Sequence, residues 1–126
     1  MTAASPEIRV LVVESDQRVR TALCQLLASE PGLAYCGEAA DAPGALAQLA
    51  AQSPTAMLID PLLPTAADGM TVLRTATSTG TRVVVLTADR SLRSAARRLG
   101  IGAVLDKDGD HEQLLAVLHG APAASE

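Results

Sequence analysis

Phenylalanine and tryptophan are absent from this chain of 126 residues, and tyrosine occurs once. Stacking of single-stranded nucleic acid needs aromatic platforms, so that binding mode is excluded. Basic residues are also sparse: ten Lys and Arg stand against fourteen Asp and Glu, a formal charge of −4, with no basic run. A domain that neutralises many phosphates clusters its cations, so no direct nucleic acid contact is expected. No apolar stretch approaches the ~20 residues needed to cross a bilayer, and no membrane association is expected. The first residues lack a basic region followed by an apolar one, which excludes a signal peptide and points to the cytoplasm. Cys24 and Cys36 share no metal-ligand spacing with His111 and His119. They read as reduced, packed thiols.

What is present is a large aliphatic fraction, 48% of residues counting alanine and cysteine, in a length that suits one domain. Five short apolar runs, at 10–13, 33–36, 56–59, 83–86 and 103–105, are continuous rather than alternating. Strands buried on both faces of a parallel sheet have this pattern. The runs start 20 to 27 residues apart, enough for a strand, a helix and two loops each time.

The intervening segments carry helical periodicity. Val19, Ala22, Leu23, Leu26 and Leu27 follow the one-face spacing of a helix that Pro31-Gly32 stops. Asp41 as N-cap and Pro43 in the first turn announce a second helix with Leu46, Leu49 and Ala50 inward. A third is expected from near Gly69 with Val72 and Leu73, and a fourth carries Leu92, Ala95, Ala96 and Leu99 and ends at Gly100. A fifth runs from about Asp110, with Leu114, Leu115, Val117 and Leu118 apolar. Five βα units define an α/β three-layer sandwich with right-handed crossovers, doubly wound as (βα)5 and too short for a closed eightfold barrel. The folded domain is expected over residues 7–120. Residues 1–6 and 121–126 read as flexible termini, the latter as the start of a linker or a natural end.

Ligands of open parallel sheets bind at the carboxyl ends of the strands, so the residue after each apolar run matters most. Glu14, Ser15 and Asp16 follow the first run, Asp60 the third, Thr87 the fourth, and Lys107 comes two residues past Leu105. Carboxylates, a hydroxyl and an ammonium thus converge on one edge. Four groups of complementary type at four strand ends are far less common than any one of them alone.

The stretches Val12-Val13-Glu14-Ser15-Asp16, Leu58-Ile59-Asp60-Pro61-Leu62-Leu63-Pro64, Val85-Leu86-Thr87-Ala88 and Leu105-Asp106-Lys107-Asp108 resemble the four signature segments of response-regulator receiver domains. The resemblance spans about residues 7–119. Gly37-Glu38-Ala39 and the Lys107-Asp108 pair lean toward the NarL/FixJ-type branch. The resemblance implies a flavodoxin-like sheet of order 2-1-3-4-5. It implies Asp60 as the nucleophile that takes a phosphoryl group from a histidine kinase or a small phosphodonor. Lys107 would neutralise phosphate charge, and Thr87 would bond a phosphoryl oxygen. Glu14, Asp60 and the backbone carbonyl of Leu62 would hold Mg2+, with Ser15 contributing only through a water. A hard divalent ion suits such oxygens, and phosphoryl transfer asks mainly for charge neutralisation and alignment. The family's contact face implies a homodimer through residues 91–119, and its members commonly control transcription through an attached DNA-binding domain. The receiver itself is a phosphoacceptor rather than an enzyme in the usual sense.

The departures are informative. Ser15 occupies the second acidic position of the family, because sliding the register to Asp16 spoils the match at Val19-Arg20. One carboxylate is lost and Mg2+ binding should weaken. Val104 stands where the family carries an aromatic switch residue, and the loop after Asp60 is one residue longer, with Pro61 stiffening its start. A pseudo-receiver working as a phosphorylation-independent interaction module is therefore the alternative reading. A small α/β enzyme or nucleotide binder is disfavoured, since no glycine-rich loop follows the first strand. Asp16 reads as an N-cap, Arg93, Arg97 and Arg98 as a solvated helix face, and Asp89 as a residue near the path of hydrolytic water.

Overall fold

The computed structural model describes residues 7–123. The chain alternates β1 (Ile8–Val13), α1 (Gln17–Ala28), β2 (Leu33–Ala39), α2 (Ala42–Gln52), β3 (Ala56–Ile59), α3 (Ala66–Ser78), β4 (Arg82–Thr87), α4 (Arg90–Arg98), β5 (Ala103–Asp106) and α5 (His111–Leu118). The strands form one parallel sheet in the order β2-β1-β3-β4-β5. The expected (βα)5 architecture and strand order both hold. Of the ends expected to be loose, residues 1–6 and 124–126 lie outside the described residues, while Ala123 is half-buried against the core.

Side chains of successive strand residues point to opposite faces, and each face has its own core. Leu11, Val13, Met57, Ile59, Val85 and Val104 meet Ala45 and Leu49 of α2, Val72 and Leu73 of α3, and Ala96 of α4. On the other face Val10, Val12, Leu58, Val84, Leu86 and Leu105 meet Cys24 and Leu27 of α1 and Leu114, Val117 and Leu118 of α5. Strands covered on both sides explain why their sequences are continuous apolar runs rather than alternating ones. Each helix opens on a polar cap: Asp16, Asp41, Thr65, Asp89 and Asp110 accept backbone N–H groups of the first turn. Each such cap contributes about 1 kcal/mol. Both cysteines are free thiols. Burial, the Glu38 charge and a hydrogen bond to its carboxylate push the Cys24 thiol up to about 11, with Arg20 opposing them.

Several helix expectations are corrected. α3 begins at Ala66 rather than near Gly69, because Thr65 accepts the N–H of Asp68 and donates to its carboxylate. Ala50 faces solvent, and α2 packs through Ala42, Ala45 and Leu49 instead. In α1 Ala22 is exposed and Cys24 takes a buried place. Arg93 is no solvated residue but is buried, only 7% exposed. β2 carries an irregularity: Val10 pairs with Tyr35 and Leu11 with Gly37, so Cys36 bulges out of the ladder.

Gly69 lies where α3 crosses the chain segment that leaves β3. A Cβ built there would stand 1.5 Å from the Pro61 carbonyl oxygen, and the obstacle is backbone, which cannot swing aside. This contact fixes the distance between the loop after Asp60 and the helix that follows. Gly69→Ala should therefore destabilise the fold by about 3 kcal/mol, the upper end of typical overpacking costs, in urea unfolding followed by circular dichroism. A variant as stable as the parent would show that the loop yields freely.

Candidate functional site

The carboxyl ends of the strands gather the polar residues. Glu14 follows β1 and Asp60 follows β3, and these strands are direct neighbours with Val13 paired to Ile59. Their carboxylates are joined by one cation. Lys107 Nζ lies 2.7 Å from Asp60 Oδ2 and 2.5 Å from Glu14 Oε1. Glu14 is 2% exposed, so it holds a carboxylate that water does not solvate. Its Oε2 accepts the N–H of Asp16, while Oε1 has the charge contact to Lys107 but no aligned hydrogen bond. Asp60 Oδ1 accepts the N–H of Leu62, which orients the carboxylate over the strand ends.

Burial alone would push Lys107 down. The hydrogen-bonded Asp60 carboxylate and the Glu14 carboxylate outweigh that effect and hold it above the ordinary lysine value.

The other residues named from the sequence occupy the strand ends and the loops that follow them. Thr87 ends β4, between the strands that carry Asp60 and Lys107, and is 1% exposed; its Oγ1 accepts the N–H of Asp89. Asp16 is the N-cap of α1, as its position suggested, with Oδ1 accepting from Arg18 and Val19. Ser15 is exposed and brings no charge to the cluster. Asp89 caps α4, taking the Leu92 N–H and the Ser91 hydroxyl. The Ser91 hydroxyl first, then the Leu92 N–H, draws its carboxyl below the usual range.

Arg20 escaped the reading of the sequence, and Arg93 was read there as part of a solvated face. Arg20 donates through Nη1 to the Glu14 carbonyl at 2.8 Å and through Nε to Glu38 Oε1 at 3.1 Å. It fixes the end of β1 against β2. Its position one turn after the cap Asp16 was the available signal. Arg93 Nη1 donates to the Thr87 carbonyl at 2.8 Å and stands 3.5 Å from Asp106 Oδ2. Its neighbours Leu92 and Ala96 mark the buried face of α4, and that spacing could have placed it there.

An apolar groove of about 280 Å³ runs beside the site between α1 and α5. Val19, Leu23, Leu26, Leu105 and Leu114 line it, and Lys107 stands at its edge.

Among the described residues no three His, Cys, Asp or Glu side chains cluster to hold a metal unaided. The pair Glu14 and Asp60 is nonetheless a hard-oxygen set, two carboxylates close enough to share one cation. Mg2+ commonly uses one or two carboxylates and takes its other ligands from carbonyls, phosphate and water, so the residues fit that ion.

Comparison with known proteins gives the family and the fold. Residues 10–119 match the family model of the response regulator receiver domain, and the chain belongs to that family. It is 39% identical over 107 residues to protein-glutamate methylesterase/protein-glutamine glutaminase 5 of Myxococcus xanthus (strain DK1622), a match covering 82% of this chain and 30% of that protein. The matches span only 20% to 30% of the length of the curated relatives. Among solved structures, the signal receiver domain of the putative response regulator NarL from Mycobacterium tuberculosis superposes with TM-score 0.76 at 23% identity, covering 93% of this chain and 100% of that one. The isolated receiver domain of RcsB from Salmonella enterica serovar Typhimurium, with the phosphomimetic BeF3−, gives 0.80 at 19%, covering 95% and 94%. At these identities the structures share the fold. The protein is thus a receiver domain of the two-component type. Among the described residues no helix is long and apolar enough to cross a membrane.

The raised proton affinity of Lys107 sets a pH window. A cation whose folded value exceeds its unfolded one stabilises fully below the unfolded value, about 10.4 for lysine, and loses that contribution as pH rises through the folded value. Lys107→Met should cost about 3 kcal/mol at pH 8, as for a buried pair that loses one partner. Urea unfolding of both proteins should show the gap constant up to roughly pH 10.4 and narrowing above it. A gap that grows with alkalinity would contradict the bridge.

Proposed function

We propose that this receiver accepts a phosphoryl group on Asp60 from a histidine kinase or a small phosphodonor and switches conformation in response. The observation that carries this reading is the Lys107 bridge, 2.7 Å from Asp60 and 2.5 Å from Glu14. It places a cation beside the carboxylate that would attack phosphorus. An Asp60 oxygen forms the new O–P bond as the P–N bond of the donor breaks and its electron pair leaves with the imidazole. Lys107 follows the growing charge on the phosphoryl oxygens, and the buried Thr87 hydroxyl turns to donate to one of them.

Glu14, Asp60, the Leu62 carbonyl and a water oriented by Ser15 would hold Mg2+, which when bound supplies further charge neutralisation. With serine at 15 in place of a second acid, its affinity is weak. The phosphodonor is cytoplasmic, and the apolar groove between α1 and α5 gives it a surface to pack on next to Lys107. The receiver's output is transcription through a DNA-binding domain, with pairing of receivers through residues 91–119. A methylesterase output is the second reading, favoured by the 39% identity to the Myxococcus xanthus methylesterase.

One observation favours a different mode of action for the receiver itself. Ser15 is exposed and uncharged, and Lys107 already neutralises one of the two remaining carboxylates. A pseudo-receiver that binds partners without phosphorylation fits that balance.

Intact mass after incubation with acetyl phosphate and Mg2+ decides between the two. A phosphate-sized adduct on the wild type, absent from Asp60→Asn, is the expected result. No adduct at any Mg2+ concentration, nor with a histidine kinase as donor, would favour the pseudo-receiver.

A further inference from the structure

Arg93 is a buried charge that the phosphoacceptor chemistry does not use. It sits one turn into α4, and its guanidinium reaches back past its own helix to the end of β4. Nη1 donates to the Thr87 carbonyl at 2.8 Å and lies 3.5 Å from Asp106 Oδ2, while Nε is buried without a hydrogen-bond partner. Thr87 and Asp106 are themselves paired across β4 and β5, and Asp106 immediately precedes Lys107. The Arg93 N–H bonds the Asp89 carbonyl, and the Asp89 N–H bonds the Thr87 hydroxyl. One side chain therefore ties together the strand that ends in Thr87, the strand that leads to Lys107, and the first turns of α4.

We propose that Arg93 is a positioning residue that couples the state of Asp60 to the placement of α4. The inference rests on the phosphoacceptor reading of Asp60. The aromatic side chain through which receivers of this type relay the threonine's movement is here Val104, a short buried side chain with no ring to swing. The relay is ionic instead. When Thr87 is drawn toward a phosphoryl group its carbonyl shifts, and when Lys107 is drawn there the adjacent Asp106 shifts. Arg93 is bound to both and moves with them, carrying α4. The unpartnered Nε favours a second arrangement, because a buried donor without an acceptor is a cost that a changed position can remove. Two arrangements with different contacts are what a switch requires.

Hydrogen exchange of α4, read alongside intact mass on the same samples with and without acetyl phosphate and Mg2+, tests the coupling. In the wild type the adduct should change exchange across α4 by about 5-fold or more, the lower end of typical coupling between sites. In Arg93→Gln the adduct should form to the same extent while the α4 response falls below about 2-fold, outside the range of such coupling. Asp106→Asn removes the charge of the guanidinium's exposed partner, leaves the buried core untouched, and should also shrink the response. A purely structural arginine would raise exchange equally in both states. An α4 response that survives in both variants overturns the relay, and so does a phosphorylated wild type whose α4 does not respond. A wild type that takes no phosphoryl group from acetyl phosphate or from a histidine kinase overturns the phosphoacceptor reading first and the relay with it, so the two failures are distinguishable.

Discussion

Two carboxylates at the ends of adjacent strands repel one another unless a cation lies between them, and in this fold Lys107 is that cation. Neighbouring strands lie about 4.8 Å apart, so β5 is roughly 10 Å from β3 with β4 between them. A long, flexible side chain is needed to cross that gap, and a small residue must end β4 to let it pass. Thr87 meets the second condition and leaves a hydroxyl on the path. Glu14, 2% exposed, has its burial offset by this bridge, because an unpaired buried carboxylate is strongly disfavoured. The burial of Glu14 depends on that ammonium group, and the orientation of Asp60 on it together with the Leu62 N–H.

The same bridge explains how the pocket tolerates serine at position 15. With one acid fewer, Lys107 leaves the cluster of Glu14, Asp60 and Lys107 only singly negative. A cluster of that charge carries less repulsion than the two carboxylates would alone. Arg20 secures the geometry from the other side by holding the carbonyl of Glu14, so the strand end does not depend on an ion for its shape.

The sheet and its reactive edge could be read from the sequence because the signals were strong. Continuous Val and Leu runs of this length, set at regular intervals between amphipathic segments, fit strands covered on both faces, and polar residues directly after them inherit the edge of the sheet. Helix detail was weaker where the sequence is uniform. α2 is largely alanine, which marks buried and exposed faces alike, so Ala50 was placed inward while Ala45 does the packing. α3 began earlier than expected because the cap at Thr65 was hidden by the preceding prolines. Arg93 was missed for a different reason. Its charge suggested solvent, although it shares the buried face of Leu92 and Ala96, and its guanidinium leans toward the N-terminus to meet residues before its own helix.

The bulge at Cys36 has a consequence for how this molecule meets others. A sheet's outer strands present unpaired N–H and C=O groups on which another chain can build. Here one outer strand, β5, is only four residues long, and the other, β2, breaks its ladder at Cys36. Bulges twist a strand away from straight pairing and so spoil it as a template. Growth by strand addition is blunted at both borders, which leaves the helical faces as the surfaces better shaped for contact with other proteins.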